Sequence, residues 1–124
     1  WVGGGRGERD LRALAATPNV EVRISSMPEW SGGYIPFARV EHCKFMVTDG
    51  EWLWLGTSNW DPSYFMSSRN LGVTLHHRRL AARVRGIFET SWTAPTAVAL
   101  TPGVTLEKRI HAETPPPGAT LYGE

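Results

Sequence analysis

Residues 42–59 have the sequence HCKFMVTDGEWLWLGTSN, in which two β-rich runs flank Asp49-Gly50. An Asp-Gly pair between two such runs predicts a β-hairpin, because both residues tolerate the positive φ of a type I′ turn. If the loop has two residues, Thr48 lies opposite Glu51, and this pairing fixes the register of the hairpin. Side chains alternate between the faces of a strand. One face is then predicted to anchor a core through Cys43, Phe45, Val47, Trp52 and Trp54.

The other face of the predicted hairpin carries His42 and Lys44, and it leads to the turn Gly56-Thr57-Ser58-Asn59. An imidazole can act as a nucleophile or an acid near neutral pH, and an ammonium group supplies a point charge. Serine and asparagine add hydrogen-bond donors. This combination is typical of an anion site. On His42 and Lys44 alone, the alternative is an ordinary exposed strand.

The rest of the chain is predicted to form an α/β or α+β layer fold, sandwich-like, with a mixed sheet flanked by helices. The apolar spacing predicts two helices and two further strands. The boundary between domain and tail is expected after residue 94, since residues 95–124 are rich in proline. The predicted segments are helix Glu8–Ala16, strand Val20–Ile24, loop Met27–Pro36, irregular Asn59–Asn70, strand Leu71–Leu75 and helix Arg79–Trp92.

Composition limits the possible functions. The chain has 124 residues, 13 basic and 12 acidic, with a formal net charge of +1. This balance excludes a strongly basic nucleic-acid-binding tail as the main feature, because counterion release needs clustered lysine and arginine. The single cysteine, Cys43, excludes a disulfide within the chain. No run approaches the roughly 20 apolar residues that a membrane-spanning helix needs.

The string His42-x-Lys44-x4-Asp49, followed by Gly56-x-x-Asn59, resembles the phospholipase D superfamily signature H-x-K-x4-D and G-x-x-N. The flanking stretches 35–42 and 56–65 are similar to the second motif of one branch. That branch contains lysosomal single-strand 5′-exonucleases and poxvirus phospholipase-like proteins, including a nicking-joining enzyme. The resemblance extends from about Ile35 to Pro95, and residues 1–94 are therefore expected to form half of a bilobal phospholipase D-type fold.

The resemblance implies a phosphodiester exchange in two steps through a phosphohistidine, without a metal or any other cofactor. His42 would be the nucleophile or the general acid, and Lys44 and Asn59 would hold phosphate oxygens. Asp49 would act indirectly, or would simply be a turn residue. The candidate substrate-binding residues are Thr57 and Ser58 at the phosphate, and Tyr64 and Phe65 as aromatic surfaces for bases. Capping of the turn and packing under the loop are the structural alternatives for Ser58 and for the two aromatic residues, respectively.

The superfamily's active site needs two motifs, and this sequence contains one. No lysine follows His76-His77 at the required spacing, and His111 lies in the proline-rich tail. The partner is therefore expected to be a second motif, from a missing N-terminal half or from a homodimer mate.

The substrate is expected to be single-stranded nucleic acid. A phospholipid phosphodiesterase or phosphatidyl transferase is the second hypothesis, and a binding module with a vestigial site is the third. A lysosomal, lumenal or membrane-associated location follows from the resemblance alone.

Overall fold

The chain has an α+β fold, as the sequence predicts. The computed structural model describes residues 6–27, 30–35, 41–106 and 117–118. The chain divides into two compact units, one of residues 41–91 and one of residues 1–40 with 92–124. Within the described residues the helices are α1 (Arg6–Ala15), α2 (Pro62–Met66) and α3 (Arg78–Trp92), and the strands are β1 (Arg23–Ser25), β2 (Phe45–Thr48), β3 (Trp52–Gly56), β4 (Gly72–His76) and β5 (Ala97–Ala99).

The unit built from the two ends of the chain contains a small sheet. In it, β1 pairs with β5 in antiparallel register, with Ile24 opposite Val98. The Arg23 guanidinium lies 4.9 Å from the centre of the Trp92 ring and also donates a 2.8 Å hydrogen bond to the Trp92 carbonyl. The sequence did not predict β5, because a three-residue strand is too short to show a periodic pattern.

The central unit is a three-stranded sheet in the order β2-β3-β4, with both pairings antiparallel. Helix α3 packs on one face, where Phe45 meets Phe88 edge-on with ring centres 6.3 Å apart. Leu53, on the same face of the sheet as Phe45, and Ala81, on α3, are both buried. In the described residues, two antiparallel sheets thus replace the expected mixed sheet. Strands β2, β3 and β4 pair in chain order and each reverses direction, although α2 lies in the connection between β3 and β4.

The predicted hairpin is present, but its predicted register is wrong. Asp49 and Gly50 have φ values of 53° and 72°, as the turn requires. The strands, however, pair Thr48 with Trp52 and Val47 with Leu53. The loop contains one more residue than expected, Glu51, whose carbonyl accepts a 2.8 Å hydrogen bond from the His77 N–H at the end of β4.

This one-residue shift exchanges the residues on the two faces of β3. Leu53 and Leu55 join Phe45 and Val47 on the α3 face, whereas Trp52 and Trp54 lie on the opposite face with Met46 and Thr48. Trp52 and Trp54 therefore do not anchor the core as predicted. Cys43 is also absent from the core, because it precedes β2 and is exposed.

No helix within the described residues has the length and apolar character needed to cross a bilayer.

Candidate active site

The segment His42-Cys43-Lys44 lies beside the turn that follows β3. The Gly56 N–H donates a 3.0 Å hydrogen bond to the Lys44 carbonyl, so pairing between the strands continues one residue beyond β2. The Lys44 ammonium group donates a 3.0 Å hydrogen bond to the His42 carbonyl. His42 is exposed and Lys44 is half-buried. The structure therefore brings His42 and Lys44 to the edge of the turn that contains Ser58 and Asn59.

Hydrogen bonds to the segment before β4 fix the position of this turn. The Thr57 N–H donates to the Leu71 carbonyl at 3.0 Å. The Thr57 hydroxyl lies 3.1 Å from the side-chain oxygen of Asn70 and accepts from the Leu71 N–H at 3.0 Å. Ser58 is 8% exposed, and Asn59 is half-buried. Thr57 thus holds the backbone from which Ser58 and Asn59 project.

Asp49 lies at the other end of the hairpin. Five positions of extended chain separate it from Lys44, which corresponds to about 16 Å at 3.3 Å per residue. Its positive φ belongs to the turn, and its side chain is exposed. The structure therefore does not bring Asp49 to the end of the hairpin where His42 and Lys44 lie.

Tyr64 and Phe65 lie on α2, a short helix within the segment predicted to be irregular. Asp61 caps this helix, because its carboxylate accepts a hydrogen bond from the Ser63 N–H, and Pro62 occupies the first position. Asp-Pro is a sequence signal for a helix start. The Ser63 side chain and backbone lower the pKa of Asp61 through hydrogen bonds to its carboxylate. Phe65 is 61% exposed and Tyr64 is half-buried.

Trp54 and Trp60 also lie next to the candidate residues, and the sequence did not assign them to the site. Trp60 follows Asn59 directly and is 73% exposed. Trp54 lies against Gly56 and Gly72, so its ring is beside the position of Lys44. In β3, aliphatic residues at positions 53 and 55 alternate with amphipathic tryptophans at positions 52 and 54. This alternation could have indicated which side of β3 faces the core.

His76 and His77 have other partners. His76 stacks on Trp52 with ring centres 4.4 Å apart, and its Nε2 lies 3.4 Å from the Glu51 carboxylate. The Leu80 N–H donates to Nδ1 of His77 at 3.3 Å, at the start of α3. His111 lies outside the described residues. No three histidine, cysteine, aspartate or glutamate side chains gather as a metal-ligand group in the part of the chain that the structure describes.

Comparison with known proteins agrees with the motif. Residues 5–92 match the family model described as "Cardiolipin synthase, PLD-like domain". The protein named "5'-3' exonuclease PLD4" of Homo sapiens is 35% identical over 103 residues, covering 74% of this chain and 20% of its own length. "Phospholipase D Z" of Dictyostelium discoideum is 32% identical over 92 residues, covering 73% of this chain and 22% of its own length. The chain therefore spans about a fifth of each of these relatives.

Proposed function

This chain belongs to the phospholipase D-like family, and on that premise we propose that it supplies one half of a phosphodiesterase active site. The observation that carries the proposal is the 3.0 Å hydrogen bond between Gly56 and Lys44. It joins the His-x-Lys segment to the Gly-x-x-Asn turn, so that an imidazole, an ammonium group and an amide lie at one end of a hairpin. A phosphate diester needs a nucleophile or acid and donors for its oxygens, and these groups can supply both.

The proposed reaction proceeds in two displacements. With His42 as nucleophile, a ring nitrogen attacks phosphorus, a P–N bond forms and the P–O bond to the leaving group breaks. The histidine of the second motif gives its proton to the departing oxygen. That histidine then takes a proton from water as the water oxygen attacks phosphorus, and cleavage of the P–N bond restores His42. If the second histidine attacks first, His42 has the acid and base roles.

Lys44 and Asn59 stabilise the negative charge that develops on phosphate oxygens. The Lys44 ammonium group has three protons, and one of them is directed to the His42 carbonyl, so two are available for substrate. Ser58 is the further candidate donor at the phosphate. Asp49, at the other end of β2, has the indirect role of forming the turn.

Single-stranded nucleic acid is the proposed substrate, because relatives at 33–35% identity are named 5'-3' exonucleases. A phospholipid phosphodiesterase or phosphatidyl transferase is the second candidate. It is supported by the family description "Cardiolipin synthase, PLD-like domain" and by the relative named "Phospholipase D Z". The second motif is proposed to come from another part of the same polypeptide or from a second subunit.

Substitutions in the assembled protein test the proposed roles. His42→Ala should abolish turnover; if His42 is the nucleophile, it should also abolish a covalent phosphoryl label that is labile in acid and stable in base. Lys44→Ala removes a charged donor to the transition state, for which the expected loss is about 2.7–4 kcal/mol, by analogy with an oxyanion donor. Arg79→Ala is a matched control, since Arg79 is an exposed cation on α3. It should leave kcat/KM unchanged.

Chelation separates this scheme from a metal-dependent one. Incubation with EDTA should leave the rate unchanged, because imidazole, ammonium and amide groups provide the nucleophile and the charge stabilisation. If EDTA abolishes turnover, a divalent ion restores it, and His42→Ala is still active, the phosphohistidine proposal is wrong.

A further inference from the structure

Three aromatic side chains form a continuous row on the face of the sheet opposite α3. The ring centres of Trp54 and Trp60 are 5.6 Å apart, and those of Trp60 and Phe65 are 6.4 Å apart. The rings are tilted by 55° and 56° to one another. Each separation lies in the range of direct aromatic contact. We call these three residues the ring row.

The ring row begins at the candidate active site. Trp54 lies over Gly56, whose N–H is bonded to the Lys44 carbonyl. Trp60 comes one residue after Asn59, and Phe65 follows on α2. A substrate strand with one phosphate bound at Lys44 and Asn59 would therefore have the groups next to that phosphate beside the ring row.

Two of the three rings, those of Trp60 and Phe65, are open to solvent, although they contact each other. Trp60 is 73% exposed and Phe65 is 61% exposed. Trp54 supports Trp60 from the sheet, and α2 carries Phe65. An exposed ring held in place by its neighbours offers one free π-face at little cost in conformational entropy, since an aromatic side chain has only two χ angles. Flat ligands with π-faces of their own fit such a surface.

Polar groups lie in the connection between α2 and β4, which directly follows the helix that carries Phe65. Asn70 donates 2.7 and 2.8 Å hydrogen bonds to the Tyr64 carbonyl and the Ser68 hydroxyl. Arg69 is exposed in the same connection. A nucleobase has an apolar face and polar edges, whereas an acyl chain requires a continuous apolar surface. The mixture of rings, amide, hydroxyl and guanidinium groups fits bases joined by phosphates better than it fits lipid tails.

We infer that the ring row is a base-stacking subsite, which holds one or two bases of a single-stranded substrate beside the phosphate bound by Lys44. The inference rests on the proposed phosphodiesterase function and adds Trp54 and Trp60 to the site. Trp60 is the central residue, because it contacts both other rings and exposes the largest fraction of its surface. Stacking on aromatic side chains accepts any base, so the subsite selects single strands without selecting a sequence.

The test compares two ligands that differ only in their bases, a single-stranded oligonucleotide and an abasic oligomer of equal length. Binding is measured in the assembled protein with His42→Ala in every variant, so that the result does not depend on turnover. Adding Trp60→Ala should weaken oligonucleotide binding about 5- to 150-fold, the range expected for one stacked base, and should not change binding of the abasic oligomer. Trp60→Phe should retain much of the affinity. Met66→Ala is the control, because Met66 is 83% exposed and lies outside the ring row.

Three results would overturn the inference. Equal weakening for both ligands would mean that Trp60 supports the fold or covers an interface. Weakened binding of short-chain phosphatidylglycerol, with oligonucleotide binding unchanged, would mean that the rings hold acyl chains. No change for any ligand would exclude Trp60 from the site. A separate measurement tests the proposed function, which is wrong if the assembled protein with intact His42 hydrolyses no phosphodiester.

Discussion

The indole of Trp54 occupies the space that two glycines leave free at the edge of the site. A Cβ atom built on Gly72 would lie 3.0 Å from Trp54 Nε1, and one built on Gly56 would overlap the six-membered ring. Gly56 is also the residue that binds the Lys44 carbonyl. The glycine that opens the Gly-x-x-Asn turn therefore allows the sheet to carry a tryptophan next to the lysine of the motif.

Gly56→Ala should destabilise the protein and displace Trp54. Forcing extra volume into a packed position typically costs about 1–3 kcal/mol. The Trp54 ring must move, because pairing with Gly72 and the hydrogen bond to Lys44 hold the backbone of Gly56 in β3. Urea unfolding followed by tryptophan fluorescence measures both effects. Gly86→Ala is the control. Nothing lies within 4 Å of its added Cβ, and alanine should stabilise α3 by about 0.8–1.0 kcal/mol. Equal stability of Gly56→Ala and the parent would show that Trp54 moves away freely.

At the scale of elements, the sequence predicts the structure that adjacent residues determine. It does not predict the structure that depends on contacts between residues far apart in the chain. The turn at Asp49-Gly50 follows from the φ preferences of those two residues, and its presence is confirmed. The register is different, because the contacts of Glu51 lie more than twenty positions away, with the backbone of His77 and the side chain of Arg78. Helix α2 could have been predicted from Asp61-Pro62, which is a local signal for a helix start.

The Glu51 carboxylate links the hairpin turn to the start of α3. Nε of Arg78 donates to it at 2.9 Å, and the hydrogen bonds from Arg78 and then from His76 lower the pKa of Glu51. A carboxyl group whose pKa is lower in the folded state stabilises the fold above its unfolded pKa. That contribution is lost as the pH falls through the folded value. The turn should therefore loosen in acid.

The stabilisation by the Glu51 carboxylate is measured by comparing the parent protein with the Glu51→Gln variant. The parent should be the more stable protein at pH 7, and the difference in urea midpoint should shrink below about pH 4.3, the ordinary pKa of a glutamate. Asp10→Asn makes the same change of charge at an exposed residue of α1 in the other unit, and it corrects for the effect of net charge. If the urea midpoints of the parent and of Glu51→Gln differ by the same amount at pH 7 and at pH 3, the Glu51 charge does not stabilise the turn.

At the scale of the whole molecule, the candidate site was predictable to the extent that it is local in sequence. His42, Lys44 and Asn59 fall within eighteen residues, and one hairpin is enough to bring their backbones together. Of the ring row, the sequence predicts only Phe65 as an aromatic surface for bases. Trp54 is missed because the predicted register places it on the core face. The sequence contains one motif, so no pattern within the chain can position the second motif that we propose.

The final prediction concerns the 124-residue chain alone. As a monomer it should hydrolyse an unactivated phosphodiester at close to the background rate, because one histidine cannot both attack phosphorus and protonate the leaving oxygen. General acid catalysis contributes about 10²- to 10⁴-fold, so supplying the second motif should raise the rate by at least that factor. Size-exclusion chromatography at the assay concentration establishes the oligomeric state. If two copies complete the site, the rate per chain should rise with protein concentration. Turnover at ordinary enzymatic rates by a strictly monomeric chain would contradict the half-site proposal, and it would require one of the other histidines to act as the second group.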